Sequence, residues 1–421
     1  MKRSETVHTA RNVRCAPGEL SFDVEVAGIA QEVWFKTDAP VTPNADAVLA
    51  ACLMPALLWG GTLEIDAPIS PRLLRCQSEF QVIQRMWSRH WSYGLLPMGE
   101  IDVRAPARAI ERPTPGCGVA TFFSGGVDSW SVVVDNPDVT HLIFVRGLDI
   151  GPDATELADD VEQRLRAAAA EIGRSLYVVE TNVRTLSDQL MPWDVYFACP
   201  LAAVALLLAP LFDRVLMTGD MDYETTVGQG SDPLIDHLWS TEQLEIAHAG
   251  GRHSRVERIR MIAEDPVAQR TLRVCWENPD GAYNCGRCRK CLATLVTLEA
   301  LGVRNAFSSF PACDELDLTQ LDEVVAVPNV LVLTLWQDIL DLIREQGRTD
   351  LEAPVAKVVA RGKRELGLPD SYRRRGAANG RVGMTERNEL DGRLKTVLES
   401  RSWRLTAPLR RAGAAARRPR R

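Results

Sequence analysis

The segment that most restricts the architecture open to this chain is Ser124-Gly125-Gly126-Val127-Asp128-Ser129, which follows directly on the apolar run 119–123. A short apolar run that breaks into paired glycines and then resumes predicts strand, tight loop and helix, the unit of a parallel α/β sheet. The glycines let backbone N–H groups approach an anion, and the helix that starts behind them presents its positive end to the same point. Ser124 and Ser129 add hydroxyl donors, and Asp128 is placed to hold Mg²⁺ or to order the loop. No Gly-Lys-Ser/Thr follows, so the lysine that anchors the phosphates in kinases and GTPases is missing. The loop is expected to cradle the phosphates of ATP; the competing reading is an ordinary Gly-Ser turn.

Downstream, the runs 141–145, 176–181 and 214–218 suit buried parallel strands, separated by helical stretches at 154–172 and 200–211. Ligands of such doubly wound sheets bind at the carboxyl ends of the strands. That rule gathers the 124–129 loop, the turn Arg146-Gly147-Leu148-Asp149 and the turn Gly219-Asp220-Met221-Asp222 around one crevice. Asp220 and Asp222 there would serve either as Mg²⁺ or substrate ligands or as helix caps. Arg252, Arg255, Arg258 and Lys290 are the candidate cations for the phosphates, with Arg255 and Arg258 spaced to share a helix face. His237, His248 and His253 are weaker candidates to touch the site.

The chain has ten cysteines. Cys275, Cys285, Cys288 and Cys291 form a C-x₉-C-x₂-C-x₂-C pattern in a Pro/Gly/Asn-rich loop, which can wrap one tetrahedral Zn²⁺; an iron–sulfur cluster uses similar spacings. The other six, Cys15, Cys52, Cys76, Cys117, Cys199 and Cys313, read as buried small hydrophobes. Clustered thiols without a visible secretory segment point to a reducing, cytoplasmic setting.

At 421 residues with 46% hydrophobic and 25% charged residues the composition is that of an ordinary globular enzyme. The net charge of −7 argues against bulk nucleic-acid binding, but from Arg401 onward the chain carries eight arginines and no acidic residue. That basic end is a candidate contact for anionic lipid or a partner. The longest apolar stretch, 195–212, is interrupted by Pro200 and Pro210 and reads as a buried helix instead of a membrane span. Four segments are expected: an N-terminal α+β accessory region over 1–115, a nucleotide-binding catalytic region over 116–305, a helical extension over 306–368 and a mobile basic tail over 369–421. In the first, strands are expected at 20–26 and 32–36 and helices at 46–58 and 77–90, with Trp59, Trp87 and Trp91 as core or lid. In the third, 329–343 reads as an apolar strand running into a helix.

The glycine loop followed by the cysteine knuckle resembles the PP-loop ATP pyrophosphatases, and within them the 7-cyano-7-deazaguanine synthase group of queuosine biosynthesis. The likeness covers residues 118–302. It implies an adenine nucleotide α hydrolase type of sheet, ATP phosphates held by Ser124, Gly125, Gly126, Val127, Asp128 and Ser129, adenine near Arg146 and Gly147, and zinc on the four cysteines. Asp128, Ser129 and Arg255 are the residues expected to take part in catalysis, with Asp220 expected at the nucleotide. The activity implied is ligation: ATP adenylates a small-molecule carboxylate, pyrophosphate leaves, and ammonia, free or delivered by a partner, attacks to give an amide or nitrile. Lys2-Arg3-Ser4 follows Met1, so an N-terminal cysteine for a glutaminase is absent. Two alternatives remain, an adenylation-dependent sulfur transferase with an iron–sulfur cluster and a non-catalytic nucleotide-binding protein. A homodimer is a further expected partner arrangement.

Overall fold

The computed structural model describes residues 6–90, 98–110, 116, 118–151, 153–226, 228, 230–312 and 315–373. Trp91, Cys117, Cys313, the ammonia-relevant start of the chain and the arginine-rich tail lie outside these residues. The chain begins with an antiparallel meander, β1 (Val7–Ala16), β2 (Glu19–Val26) and β3 (Ile29–Thr37), followed by α1 (Asp46–Trp59), β4 (Gly61–Ile65), α2 (Pro71–His90) and β5 (Ile101–Arg104). Next come β6 (Val119–Phe122), α3 (Val127–Asp135), β7 (Val139–Arg146), α4 (Thr155–Glu171) and β8 (Ser175–Thr181). Two single turns, α5 (Arg184–Ser187) and α6 (Trp193–Tyr196), lead into α7 (Ala198–Leu207), β9 (Arg214–Thr218) and β10 (Glu245–Ala249). The remainder is helical: α8 (Arg255–Ile262), α9 (Pro266–Thr271), α10 (Arg289–Ala300), α11 (Gln320–Val324), α12 (Val330–Glu345) and α13 (Thr349–Glu365).

The strands form one ten-stranded sheet in the order β10-β9-β6-β7-β8-β3-β2-β1-β4-β5. The pairings from β10 to β8 are all parallel, as are β1–β4 and β4–β5, whereas β8–β3, β3–β2 and β2–β1 are antiparallel. The protein is therefore α/β with a large, mostly parallel sheet. Successive residues of its parallel strands enter two separate cores: Ile143, Val215 and Met217 face one, Leu142, Phe144 and Leu216 the other. This period-two alternation with apolar side chains on both faces is what a strand covered by helices on both sides requires.

Strands β1–β5, in the stretch expected as an accessory region over 1–115, belong to the same sheet. β3 pairs with β8 through Phe35–Thr181, Lys36–Glu180 and Thr37–Val179. Side chains reinforce the seam: the Thr181 hydroxyl donates to the Trp34 carbonyl at 2.7 Å, and Asn182 accepts from the Trp34 N–H at 2.9 Å and donates to the Glu32 carbonyl at 2.8 Å. Below the seam, α1 and α7 pack together as two helices apolar all round, and the buried Tyr196 hydroxyl donates to the Ala51 carbonyl at 2.6 Å. The apolar 195–212 stretch is thus a core helix, and no described helix is long and apolar enough to cross a membrane.

Three expectations of local structure need correction. Residues 329–343 contain no strand: α12 runs from Val330, because Asn329 caps it by accepting the Val332 N–H at 3.0 Å and its apolar residues fall on one face against α8 and α10. Cys15 is exposed and Cys76 half-buried, while Cys52 and Cys199 are buried as expected. Cys15 stands where β1 has run past the end of β4, which pairs only with Val7 to Ala10. Trp87 belongs to the core, and Trp59 is 55% exposed at the end of α1, away from any lid.

Candidate functional site

At the carboxyl end of β6 the chain turns through Phe123 and Ser124 into α3, whose N-cap is Gly126. Gly125 has a φ of +74°, and a Cβ there would lie 2.9 Å from a Leu165 methyl and 3.3 Å from the Thr271 carbonyl oxygen. Its own carbonyl accepts the Arg273 N–H at 2.9 Å, so the segment leading to the cysteines lies directly against the loop. The Ser129 hydroxyl donates to the Gly126 carbonyl at 3.0 Å, and Ser124 Oγ accepts the Gly126 N–H at 3.4 Å. Gly125→Ala is expected to destabilise the protein by about 1–3 kcal/mol through the left-handed backbone alone, with further loss from the contacts; denaturant unfolding measures it.

A cavity of about 310 Å³ opens between this loop and the turns after β7 and β9. In strand order, β6 has β7 on one side and β9 on the other, so the chain leaves β6 in one direction and later returns on the opposite flank. Such a reversal places a crevice at the strands' carboxyl ends. Phe122, Ile143, Leu148, Trp193, Phe197 and Leu201 form the apolar wall. Ser124, Asp128, Ser129, Asp220, Arg273 and Lys290 converge from the polar side. The volume lies at the lower end of the range for small-molecule sites.

Asp128, in the first turn of α3, is held by two arginines of α8: Arg255 at 2.5 Å and Arg258 at 2.6 Å. Burial raises the cost of its charge, but Arg255, Arg258 and Lys290 outweigh it and hold the carboxyl below its usual value. Its ion pairs thus contribute stability that is present above pH 3.8 and is lost as the pH falls below that through the folded-state value. Acid unfolding of the wild type and of Asp128→Asn should show a stability gap at pH 6 that closes in strong acid. The Asp128 carboxylate thus ties the start of α3 to α8.

Asp220 and Asp222 part company. Asp222 Oδ1 accepts the N–H groups of Glu224 at 2.9 Å and Thr225 at 3.1 Å, a turn cap. Asp220 lines the cavity and is exposed there; partial desolvation by the surrounding protein and the charge of Asp128 push its pKa up, with Lys290 and Arg255 opposing. Among the described residues Asp220 forms no ion pair, and a divalent cation would meet its carboxylate there.

Arg146 and Gly147 are beside the cavity and not in its lining. Arg146 turns back to α4, pairing with Asp159 at 2.7 Å and Glu162 at 2.9 Å. Gly147 is glycine because β7 ends against β8: at φ +87°, a Cβ would sit 2.0 Å from the Thr181 carbonyl oxygen. Their neighbours Val145, Leu148 and Asp149 line the cavity instead. Arg255 and Arg258 are not in its lining but pair with Asp128, which is, and Arg252 pairs with Asp135 at 2.8 Å. His248 donates to or accepts from Asp236 at 2.7 Å in a buried cluster, and His253 lies 3.6 Å from Asp135.

The four knuckle cysteines come together, with one Sγ each and all four within 4.8 Å of one another. Cys275–Cys288 and Cys285–Cys291 are each 3.9 Å apart, close to the roughly 3.8 Å edge of a tetrahedron with zinc–sulfur bonds near 2.3 Å. Backbone N–H groups point at the sulfurs: Asn278 at Cys275 (3.3 Å), Cys288 at Cys285 (3.2 Å) and Cys291 at Cys288 (3.5 Å). Hydrogen bonds from Cys291 and its neighbours bring the Cys288 thiol down to about 5, whereas the same contact and burial push Cys291 up. The donor set suits one thiophilic ion such as zinc, and sulfurs this close leave no room between them for a multi-iron cluster.

Comparison with protein-family models, with curated proteins and with solved structures finds no match to this chain. The geometry therefore stands by itself. It brings together the 124–129 loop, Asp220, Lys290 and the cysteines. Sequence reasoning missed Arg273, Trp193, Asp194 and Phe197. Arg273 had a readable signal, a cation two residues before the first knuckle cysteine; the aromatic residues, at the start and just past the end of the single-turn α6, had none.

Proposed function

We propose that the chain is an ATP-dependent enzyme of the PP-loop ATP pyrophosphatase type that adenylates a small-molecule carboxylate for attack by ammonia, giving an amide or nitrile. The observation that carries this reading is the glycine loop at the switch point of the sheet, facing a cavity whose polar side holds Arg273, Lys290 and Asp220. A polyphosphate needs inward N–H groups and flanking cations, and the adenine base needs an apolar wall such as Phe122, Ile143 and Leu148 offer.

In this scheme a carboxylate oxygen attacks the α-phosphorus, the bond to the β-phosphate oxygen breaks, and pyrophosphate departs toward the loop and the two cations. Ammonia then adds to the acyl carbon, AMP leaves with the electron pair and nitrogen gives up a proton to leave the amide; a nitrile needs a second ATP to adenylate the amide oxygen, which then departs in AMP as nitrogen loses its two remaining protons. The chain's contribution is positioning and charge neutralisation. Mg²⁺, held at Asp220, would neutralise the phosphate oxygens. The four cysteines and their ion lie outside the bond-making steps.

The test is release of pyrophosphate, and exchange of labelled pyrophosphate into ATP, across a panel of carboxylates with ammonium present. Carboxylate-dependent exchange is expected. ATP binding with no exchange on any carboxylate would make this a non-catalytic nucleotide-binding protein. Ser129→Ala is expected to lower turnover by about 10²-fold or more with the fold retained, since its hydroxyl shapes the loop and touches no buried charge. Asp128→Ala is a poorer probe, because it also strips Arg258 of its counter-charge.

A further inference from the structure

Both cations that line the cavity are carried by the cysteine knuckle. Arg273 lies two residues before Cys275, and Lys290 lies between Cys288 and Cys291 in the first turn of α10, which Cys288 caps. Arg273 is 6% exposed, and its Nε has no hydrogen-bond partner among the described residues. A buried guanidinium N–H without an acceptor is costly, and a polyphosphate oxygen in the cavity would supply one.

The path from sulfur to cavity is short. One terminal nitrogen of Arg273 donates to Asn278 Oδ1 at 2.9 Å, and the Asn278 N–H donates to Cys275 Sγ at 3.3 Å. The buried Asn284, next to Cys285, accepts the N–H groups of Val274 (2.8 Å) and Cys275 (3.2 Å) and donates to the carbonyls of Leu272 (2.8 Å) and Ser309 (3.0 Å). That clamp fixes the segment whose Arg273 N–H pins Gly125. An ion on the four sulfurs would tie Cys275 to Cys288 and Cys291, and so tie the segment carrying Arg273 to the helix turn carrying Lys290.

We infer that the ion bound by Cys275, Cys285, Cys288 and Cys291 controls the affinity of the glycine loop for polyphosphate, by holding Arg273 and Lys290 in the cavity. The inference rests on the nucleotide reading above and adds a metal-dependent control to it. Coupling between two ligands is reciprocal, so nucleotide must also slow loss of the metal by stabilising the loaded state.

The experiment uses the zinc-loaded full chain and the non-hydrolysable probe β,γ-imido-ATP with Mg²⁺. Calorimetry is expected to show binding that weakens roughly 10-fold or more in Lys290→Ala and in Arg273→Met, each with zinc still bound, as loss of a charge-assisted contact predicts. Zinc transfer to a chromophoric chelator, followed on the loaded protein so that unfolding of the stripped form is not at issue, should slow when the probe is present. In Lys290→Ala that protection should shrink. Tight probe binding to the wild type with unchanged zinc transfer would overturn the coupling and leave the nucleotide site standing. No probe binding to the zinc-loaded wild type would overturn both.

Discussion

Replacing Arg258 with methionine is expected to cost about 3–5 kcal/mol of folding stability, the range for breaking a buried ion pair by removing one partner. The guanidinium is fully buried and all its nitrogens are used. It pairs with Asp128 and donates to the carbonyls of Gly219 (2.9 Å), Met221 (3.0 Å), Gly250 (2.9 Å) and His253 (3.0 Å). Those acceptors belong to α3, the turn after β9 and the turn after β10. One planar fork therefore joins a helix and two turns. Arg258→Lys should fare little better, because an ammonium cannot point at acceptors spread around a plane. Urea unfolding gives the stability change, and a loss below 1 kcal/mol would mean that solvent reaches the arginine.

Cys288→Ala is the second large effect. Zinc content should fall from about one per chain to near zero, with lowered folded yield, since thiolate–metal binding contributes directly to folding. Cys288 is one of the four clustered cysteines and also caps α10 through its sulfur, so its loss weakens the helix that carries Lys290. Metal analysis together with circular dichroism decides the matter: a variant that stays folded and fully loaded would show that the ion sits elsewhere.

The parallel half of the sheet was legible because its strands are short, apolar and separated by helices. Arg214–Thr218 matches the expected strand end to end, and β6, β7 and β8 differ from expectation by a residue or two. β1 was not legible: its inward residues are His8 and Ala10, which carry too little apolar surface to mark an alternation. The joining of β3 to β8 was equally hidden, since antiparallel pairing of strands about 140 residues apart leaves no local pattern. At the site, loop and knuckle were readable from spacing alone. The direction of Arg146, away from the cavity, was not, because it depends on Asp159 and Glu162 a helix away.

The seam between β3 and β8 also bears on how the chain can be cut. A polypeptide starting at residue 116 would keep every residue of the cavity, yet it would end its sheet at β8, a naked edge with unpaired N–H and C=O groups. It would also bare α7, whose surface is apolar on every side and is covered by α1. Such a fragment would be prone to pair with strands from other copies of itself, so the meander covers an edge that would otherwise invite aggregation, and a fragment that keeps this sheet whole has to begin at β1.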